Sequence, residues 1–177
     1  MRRIRIVVAY DGTNYCGWQI QPNGITIEEI LNRQISKLTG EDIRIIGASR
    51  TDSGVHALGN VAVFDTESRI PGDRFAYALN QKMPEDIVIV RSDEVQIDWH
   101  PRYQNEISKT YEYHIYNAKV RNPLKNRYST FISFDLDVEK MRQGAKYILG
   151  EHDFASFCNV RTNAKDTVRT VHEITIT

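Results

Sequence analysis

Thr26-Ile27-Glu28-Glu29-Ile30-Leu31-Asn32-Arg33-Gln34-Ile35-Ser36-Lys37-Leu38-Thr39-Gly40 reads as a helix with both of its ends specified. Thr26 and Glu29 form a T-x-x-E capping box, which satisfies first-turn amides that have no partner inside the helix. Ile27, Ile30, Leu31, Ile35 and Leu38 recur at the spacing that lays one apolar stripe along a helix, and Gly40 supplies the cap that stops it. Upstream, residues 3 to 10 (Arg-Ile-Arg-Ile-Val-Val-Ala-Tyr) pass from alternation into a β-branched run and read as a strand. Asp11-Gly12-Thr13-Asn14 ends that strand with turn chemistry, and a glycine- and aromatic-rich loop continues to Gly24. Downstream, Asp42 to Ala48 and Asn60 to Phe64 are expected strands. Asp73 to Lys82 is a shorter helix with Phe75, Ala78 and Leu79 on one side, and Ile87 to Arg91 is a fourth strand.

The resulting order, β-α-β-β-α-β, is the ferredoxin-like pattern, in which two helices cover one face of a four-stranded antiparallel sheet. The other face is expected to remain available for a partner, including RNA. A polar, irregular stretch from Asp98 to Glu106 reads as a linker. Residues 107 to 117 alternate as a strand with Tyr111 and Tyr113 on one face. Thr130 to Phe134 follows, and then a helix over 137–149 with Val138, Met141, Ala145, Ile148 and Leu149 on its apolar side. Glu151 to Asn159 is aromatic and irregular, and Val168 to Thr177 alternates as a final strand. This half stops inside a β pattern, so its edge is expected to be covered by another chain or by further sequence, and a C-terminal truncation is expected.

Composition narrows the class. With 41% hydrophobic and 26% charged residues over 177 positions, the chain has the balance of a folded globular protein. The run Ile6 to Tyr10 is too short for a signal-peptide core or a membrane span, so a cytoplasmic location is the default and no membrane partner is expected. Cys16 and Cys158 lie far apart in no ligand spacing, which gives neither a disulfide framework nor a zinc knuckle. Net charge is zero, which counts against nucleic-acid binding, yet the charges are unevenly distributed. Arg2, Arg3 and Arg5 cluster at the start, and residues 98 to 130 carry Arg102, Lys109, Lys119, Arg121, Lys125 and Arg127 against Asp98 and Glu106. Either a basic face or ordinary solvated surface fits that distribution.

Between the second and third expected strands lies Gly47-Ala48-Ser49-Arg50-Thr51-Asp52-Ser53-Gly54-Val55-His56-Ala57. Glycines that tolerate positive φ, together with Ser, Thr and Asp side chains that bond nearby amides, make such a connection a well-fixed loop. An aspartate held there can act as base or nucleophile if a cation such as Arg50 keeps it ionised. An Asp flanked by Thr and Ser is more often simply a turn, and His56 is more often structural than catalytic. The glycines at 12, 17 and 24 match neither a dinucleotide fingerprint nor a phosphate-binding P-loop, and no H-E-x-x-H or acidic calcium loop occurs. Outward-facing Tyr111 and Tyr113, or Trp18, Phe154 and Phe157, can stack on bases; inward-facing, they are core.

The 47–57 segment closely resembles the R-T-D-x-G-V-H-A signature of the tRNA pseudouridine synthase A family. Further pieces agree in order: Tyr10-Asp11-Gly12-Thr13 with Tyr15 and Gly17-Trp18-Gln19, then Lys109-Thr110-Tyr111-Glu112-Tyr113, then His152 to Phe157 followed by Val168-Arg169-Thr170-Val171. The resemblance implies isomerisation of uridine to pseudouridine in the anticodon stem-loop of tRNA, with no cofactor and no metal. It implies that Asp52 is the catalytic nucleophile and that Arg50 holds the target nucleotide out of the helix. Tyr111 would stack on the base, with Thr51 and His56 as further substrate-binding residues. Lys109, Arg121, Lys125, Arg127, Arg161 and Arg169 are the candidate RNA contacts. It also implies a homodimer in the full-length form and an α+β architecture of two ferredoxin-like (RRM-like) units, the second incomplete. On that reading residues 1–97 form the N-terminal domain, 98–106 the linker and 107–177 a partial C-terminal catalytic domain. Family members continue into a segment whose arginine pairs with the catalytic aspartate, which the 177 residues do not include. The alternatives are a catalytically inactive RNA-binding fragment of such an enzyme and a protein-binding ferredoxin-like domain.

Overall fold

The computed structural model describes residues 1–103, 108–158 and 166–177. The chain forms two compact units, Met1–Thr110 and Tyr111–Thr177.

The first unit is an antiparallel four-stranded sheet with helices on one face. Its elements are β1 (Arg2–Tyr10), α1 (Ile27–Thr39), β2 (Ile46–Gly47), β3 (Ala57–Thr66), α2 (Phe75–Asn80) and β4 (Ile87–Val95). The strand order is β2-β3-β1-β4, so β1 lies in the interior between two strands that follow it in the chain. The alternation of β1 puts Ile4, Ile6, Val8 and Tyr10 into the core, against Leu31 and Ile35 of α1, Phe64 of β3, Phe75 of α2 and Ile89 of β4. Each such aliphatic side chain contributes on the order of 1.5–3 kcal/mol by leaving water. Both ends of α1 form as its sequence requires: Thr26 Oγ1 accepts from Glu29 N–H, and Gly40 closes the helix at φ +77°.

Several boundaries differ from expectation for identifiable reasons. In the expected strand 42–48 only Ile46 and Gly47 are in the ladder with β3, and Ala48 N–H donates to the Val61 carbonyl just beyond it. Ile43 and Ile45 are buried as the alternation requires, but their amides donate to Ser36 Oγ and Asn32 Oδ1 of α1 instead of to a neighbouring strand. β3 is longer than expected and begins at Ala57, while β4 extends to Val95. The second helix begins as a 3-10 turn over Gly72–Arg74, and it ends where the Asn80 side chain bonds both N–H and C=O of Ile89.

The open face of the sheet is not the bare platform that the pattern implies. Arg3 makes a two-pronged ion pair with Asp65, its register partner on β3, and Arg5 does the same with Asp93, its partner on β4. Arg2 pairs with Glu94. The residues after β4 return across these groups: Arg3 Nη1 donates to the Trp99 carbonyl, the Arg5 guanidinium lies 5.2 Å from the Trp99 ring centre, and Pro101 is buried. The N-terminal arginine cluster is therefore a row of cross-strand pairs and not a basic face.

The second unit contains β5 (Ile115–Asn117) parallel to β6 (Thr130–Ile132), α3 (Val138–Ala145), and β7 (Gly150–Asp153) antiparallel to β8 (Val168–Val171). The expected strand 107–117 is a ladder only at its last three residues, and Ile107 lies outside the described residues. Asp137 caps α3 by accepting from Lys140 N–H, the helix is shorter than expected, and the final strand ends at Val171. β7 falls in a stretch that reads as irregular from sequence. Among the described residues of this unit none is fully buried, because pairs of short strands cannot cover an apolar helix face.

Candidate active site

Two loops of the first unit, 11–24 and 48–56, are locked together, and they position Asp52. The second loop is anchored from below by the core: Tyr10 Oη lies 2.8 Å from Thr51 Oγ1, and Asn60 Nδ2 donates to the Ser49 carbonyl at 3.0 Å. From the side, Trp18 N–H donates to the Thr51 carbonyl, while the Tyr15 carbonyl accepts from Ser53 Oγ and Gly54 N–H. The approach is close enough to exclude side chains. A β-carbon on Gly12 would stand 2.0 Å from the Val55 carbonyl oxygen, and one on Gly17, at φ +81°, would stand 2.5 Å from that of Thr51. Glycine is the residue that both positions admit.

Tyr15 fixes the first loop in turn. Its hydroxyl donates to Asp86 Oδ1 at 2.5 Å, and its ring is almost wholly buried. Burial, reinforced by the neighbouring Asp86 carboxylate, pushes the Tyr15 hydroxyl far above the ordinary tyrosine value. Burial also raises Tyr10, partly offset by its hydrogen bonds to Thr51 and Asn60. His56 Nδ1 lies 3.1 Å from Gly12 N–H and 3.0 Å from Asp11 Oδ1. The two contacts alternate, since Nδ1 accepts from Gly12 when it carries no proton and donates to Asp11 when it carries one. In either state the ring ties the entry of β3 to the Asp11 turn.

Against this fixed frame Asp52 and Arg50 are exposed, and among the described residues neither side chain makes a hydrogen bond or ion pair. Among the described residues Arg50 and Asp52 thus form no ion pair with each other. Thr51, between them, turns its hydroxyl inward to Tyr10. Trp18, a candidate stacking residue, is core: it is 2% exposed, and its ring centre lies 5.9 Å from that of Tyr10. Lys109 is exposed near the end of the first unit.

In the second unit Tyr111 and Tyr113 are exposed and not core. The Arg121 guanidinium lies 4.8 Å from the Phe131 ring centre and Lys125 Nζ lies 4.7 Å from that of Tyr116, so both cations sit over rings. Arg127 and Arg169 are exposed, and Arg169 Nη1 donates to the Val168 carbonyl. Arg161 lies outside the described residues. Among the described residues no group of three or more His, Cys, Asp or Glu could hold a metal ion, and no helix is long and apolar enough to cross a membrane.

Sequence reading did not assign Tyr10, Asn60, Gly12 or Gly17 to the site. The available signal was the Tyr10-Asp11-Gly12-Thr13 and Gly17-Trp18 motifs, which accompany the aspartate loop because they form its seat.

Comparison with known proteins agrees with this geometry. The profile of the tRNA pseudouridine synthase family matches residues 6–104 and 145–177. The chain is 48% identical over 176 residues to the tRNA pseudouridine synthase A of Acetivibrio thermocellus, covering 99% of this chain and 72% of that protein. It is 43% identical to the tRNA pseudouridine synthase A of Brevibacillus brevis and 47% identical to the tRNA pseudouridine synthase A 2 of Clostridium perfringens, with the same coverage of each. The chain belongs to the tRNA pseudouridine synthase family.

Proposed function

We propose that this chain isomerises uridine to pseudouridine in the anticodon stem-loop of tRNA, with Asp52 as the nucleophile. The supporting observation is an exposed carboxylate with no hydrogen-bond or ion-pair partner among the described residues, carried on a loop whose neighbours are hydrogen-bonded or packed to the limit. Such a group is held in place but not consumed by the fold, which is what attack on a bound substrate requires. In the reaction the bond from the sugar to N1 of uracil breaks and a bond from the sugar to C5 forms. The proton of C5 is lost and N1 becomes protonated, so no electrons are exchanged with an outside group.

On this reading Arg50 enters the RNA stack and holds the target nucleotide extruded, and contacts in the pocket offset the lost stacking. Tyr111 stacks on the detached base and moves a proton, with Thr51 and His56 holding the loop that faces the substrate. Lys109, Arg121, Lys125, Arg127 and Arg169 contact the backbone. The strand order β2-β3-β1-β4 and its helix placement support a ferredoxin-like first unit. The family resemblance supports pairing of two copies.

The test is release of tritium from C5-labelled uridine in tRNA transcripts. Wild-type chain is expected to release label, and Asp52→Asn to release none while melting at the same temperature and binding tRNA within about twofold. Wild-type-like release by Asp52→Asn would overturn the assignment of the nucleophile. Binding without release by the wild type would favour an inactive RNA-binding protein.

A further inference from the structure

Asn14 and Tyr15, from the loop that seats Asp52, also line a surface cleft of about 340 Å³. Arg33 of α1 and Lys82, after α2, line the same cleft, with Ile25 and Met83 giving it apolar surface. Both cations are exposed, and among the described residues neither makes an ion pair or hydrogen bond. The contrast with Arg2, Arg3 and Arg5, each matched to a carboxylate, is direct. Among the described residues the carboxylate behind Tyr15 makes no ion pair with either Arg33 or Lys82. Asp86 accepts from Tyr15 Oη through one oxygen and lies 3.4 Å from Asn14 Nδ2 through the other.

Tyr15 joins the cleft to the candidate active site. It lines the cleft, while its carbonyl holds Ser53 and Gly54, the two residues after Asp52. A ligand in the cleft is therefore one residue removed from the turn that fixes the nucleophile.

We propose that this cleft holds a backbone phosphate and the attached sugar of a nucleotide flanking the one presented to Asp52, with Arg33 and Lys82 as the counter-ions. The proposal rests on the tRNA-modifying reading above. Two exposed cations that make no ion pair among the described residues, beside an apolar patch, suit a single-stranded ribonucleotide, whose charge is on the phosphate and whose sugar and base offer flat, less polar surface. Occupancy would bear on Tyr15 and so on the Asp52 turn, linking grip on the flanking strand to the set of the nucleophile.

The test is the affinity of the 177-residue chain for a labelled tRNA transcript across a series of salt concentrations. For Arg33→Gln with Lys82→Gln, the slope of log affinity against log salt is expected to shrink by about one for each cation removed. Lys37→Gln, on α1 but outside the cleft, should leave the slope unchanged. Arg33→Lys with Lys82→Arg should keep it, which separates loss of charge from loss of folding. A Gln/Gln variant with the wild-type slope and affinity overturns the proposal alone. A wild-type chain that binds no tRNA overturns it together with the functional reading.

Discussion

A β-carbon on Gly17 would stand 2.5 Å from the carbonyl oxygen of Thr51, so the residue before Asp52 rests on bare backbone. Gly17→Ala must therefore displace the loop as well as adopt an unfavourable φ. A loss of about 1–3 kcal/mol in urea unfolding is expected, the usual cost of overpacking, together with loss of most tritium release. A variant with wild-type turnover would show that the loop seat does not govern the chemistry.

Tyr10→Phe removes the hydroxyl that meets Thr51 Oγ1 from the core side. The stability cost should be about 1 kcal/mol, that of one hydrogen bond with a partner left behind. In steady-state kinetics kcat should fall while KM changes little, because the lost contact positions the loop and does not touch RNA. A change confined to KM would contradict this.

The raised hydroxyls of Tyr15 and Tyr10 set the alkaline limit of the first unit. Their folded values lie above the unfolded value near 10, so their neutral forms support folding fully below that pH. The support is lost as pH rises from there toward the folded values. Denaturant midpoints should fall above pH 10, and Tyr15→Phe should fall less steeply than wild type. Parallel curves would overturn the attribution.

The arginines of β1 should behave as structural residues. Arg3 and Asp65 side chains are only 14% and 29% exposed, so their pairing is partly protected from screening. Arg3→Gln is expected to cost about 1 kcal/mol and to leave the salt slope of tRNA binding unchanged. A shallower slope would return these residues to the RNA surface.

Much of the first unit was legible in the sequence because its elements specify themselves locally. Thr26, Glu29 and Gly40 mark the limits of α1, and the alternation of Ile4, Ile6 and Val8 marks a buried strand face. For Arg2, Arg3 and Arg5 a basic face and a solvated, salt-bridged surface both fit the sequence, because their partners Glu94, Asp65 and Asp93 are adjacent only through strand register. The short β2 ladder was hidden for a related reason: Ser36 and Asn32 take amides that a strand would have used. Asp52 and Arg50 were visible as a motif, but the absence of a pairing between them was not, since proximity in a loop fixes no geometry. In the second unit the alternation of 107–117 predicted more ladder than forms, because periodicity reports which faces are apolar and not whether a partner strand is present.

The central place of β1 has a consequence for synthesis. Residues 2–10 leave the ribosome well before their neighbours, which are supplied only by residues 57–66 and 87–95. The contacts that seat Asp52 join residues 10–18 to residues 49–60, and Tyr15 is moored at Asp86. None of these is a local hairpin, so a nascent chain cannot assemble the site piecemeal. Sheet closure and the fixing of the Asp52 loop are one late, long-range event.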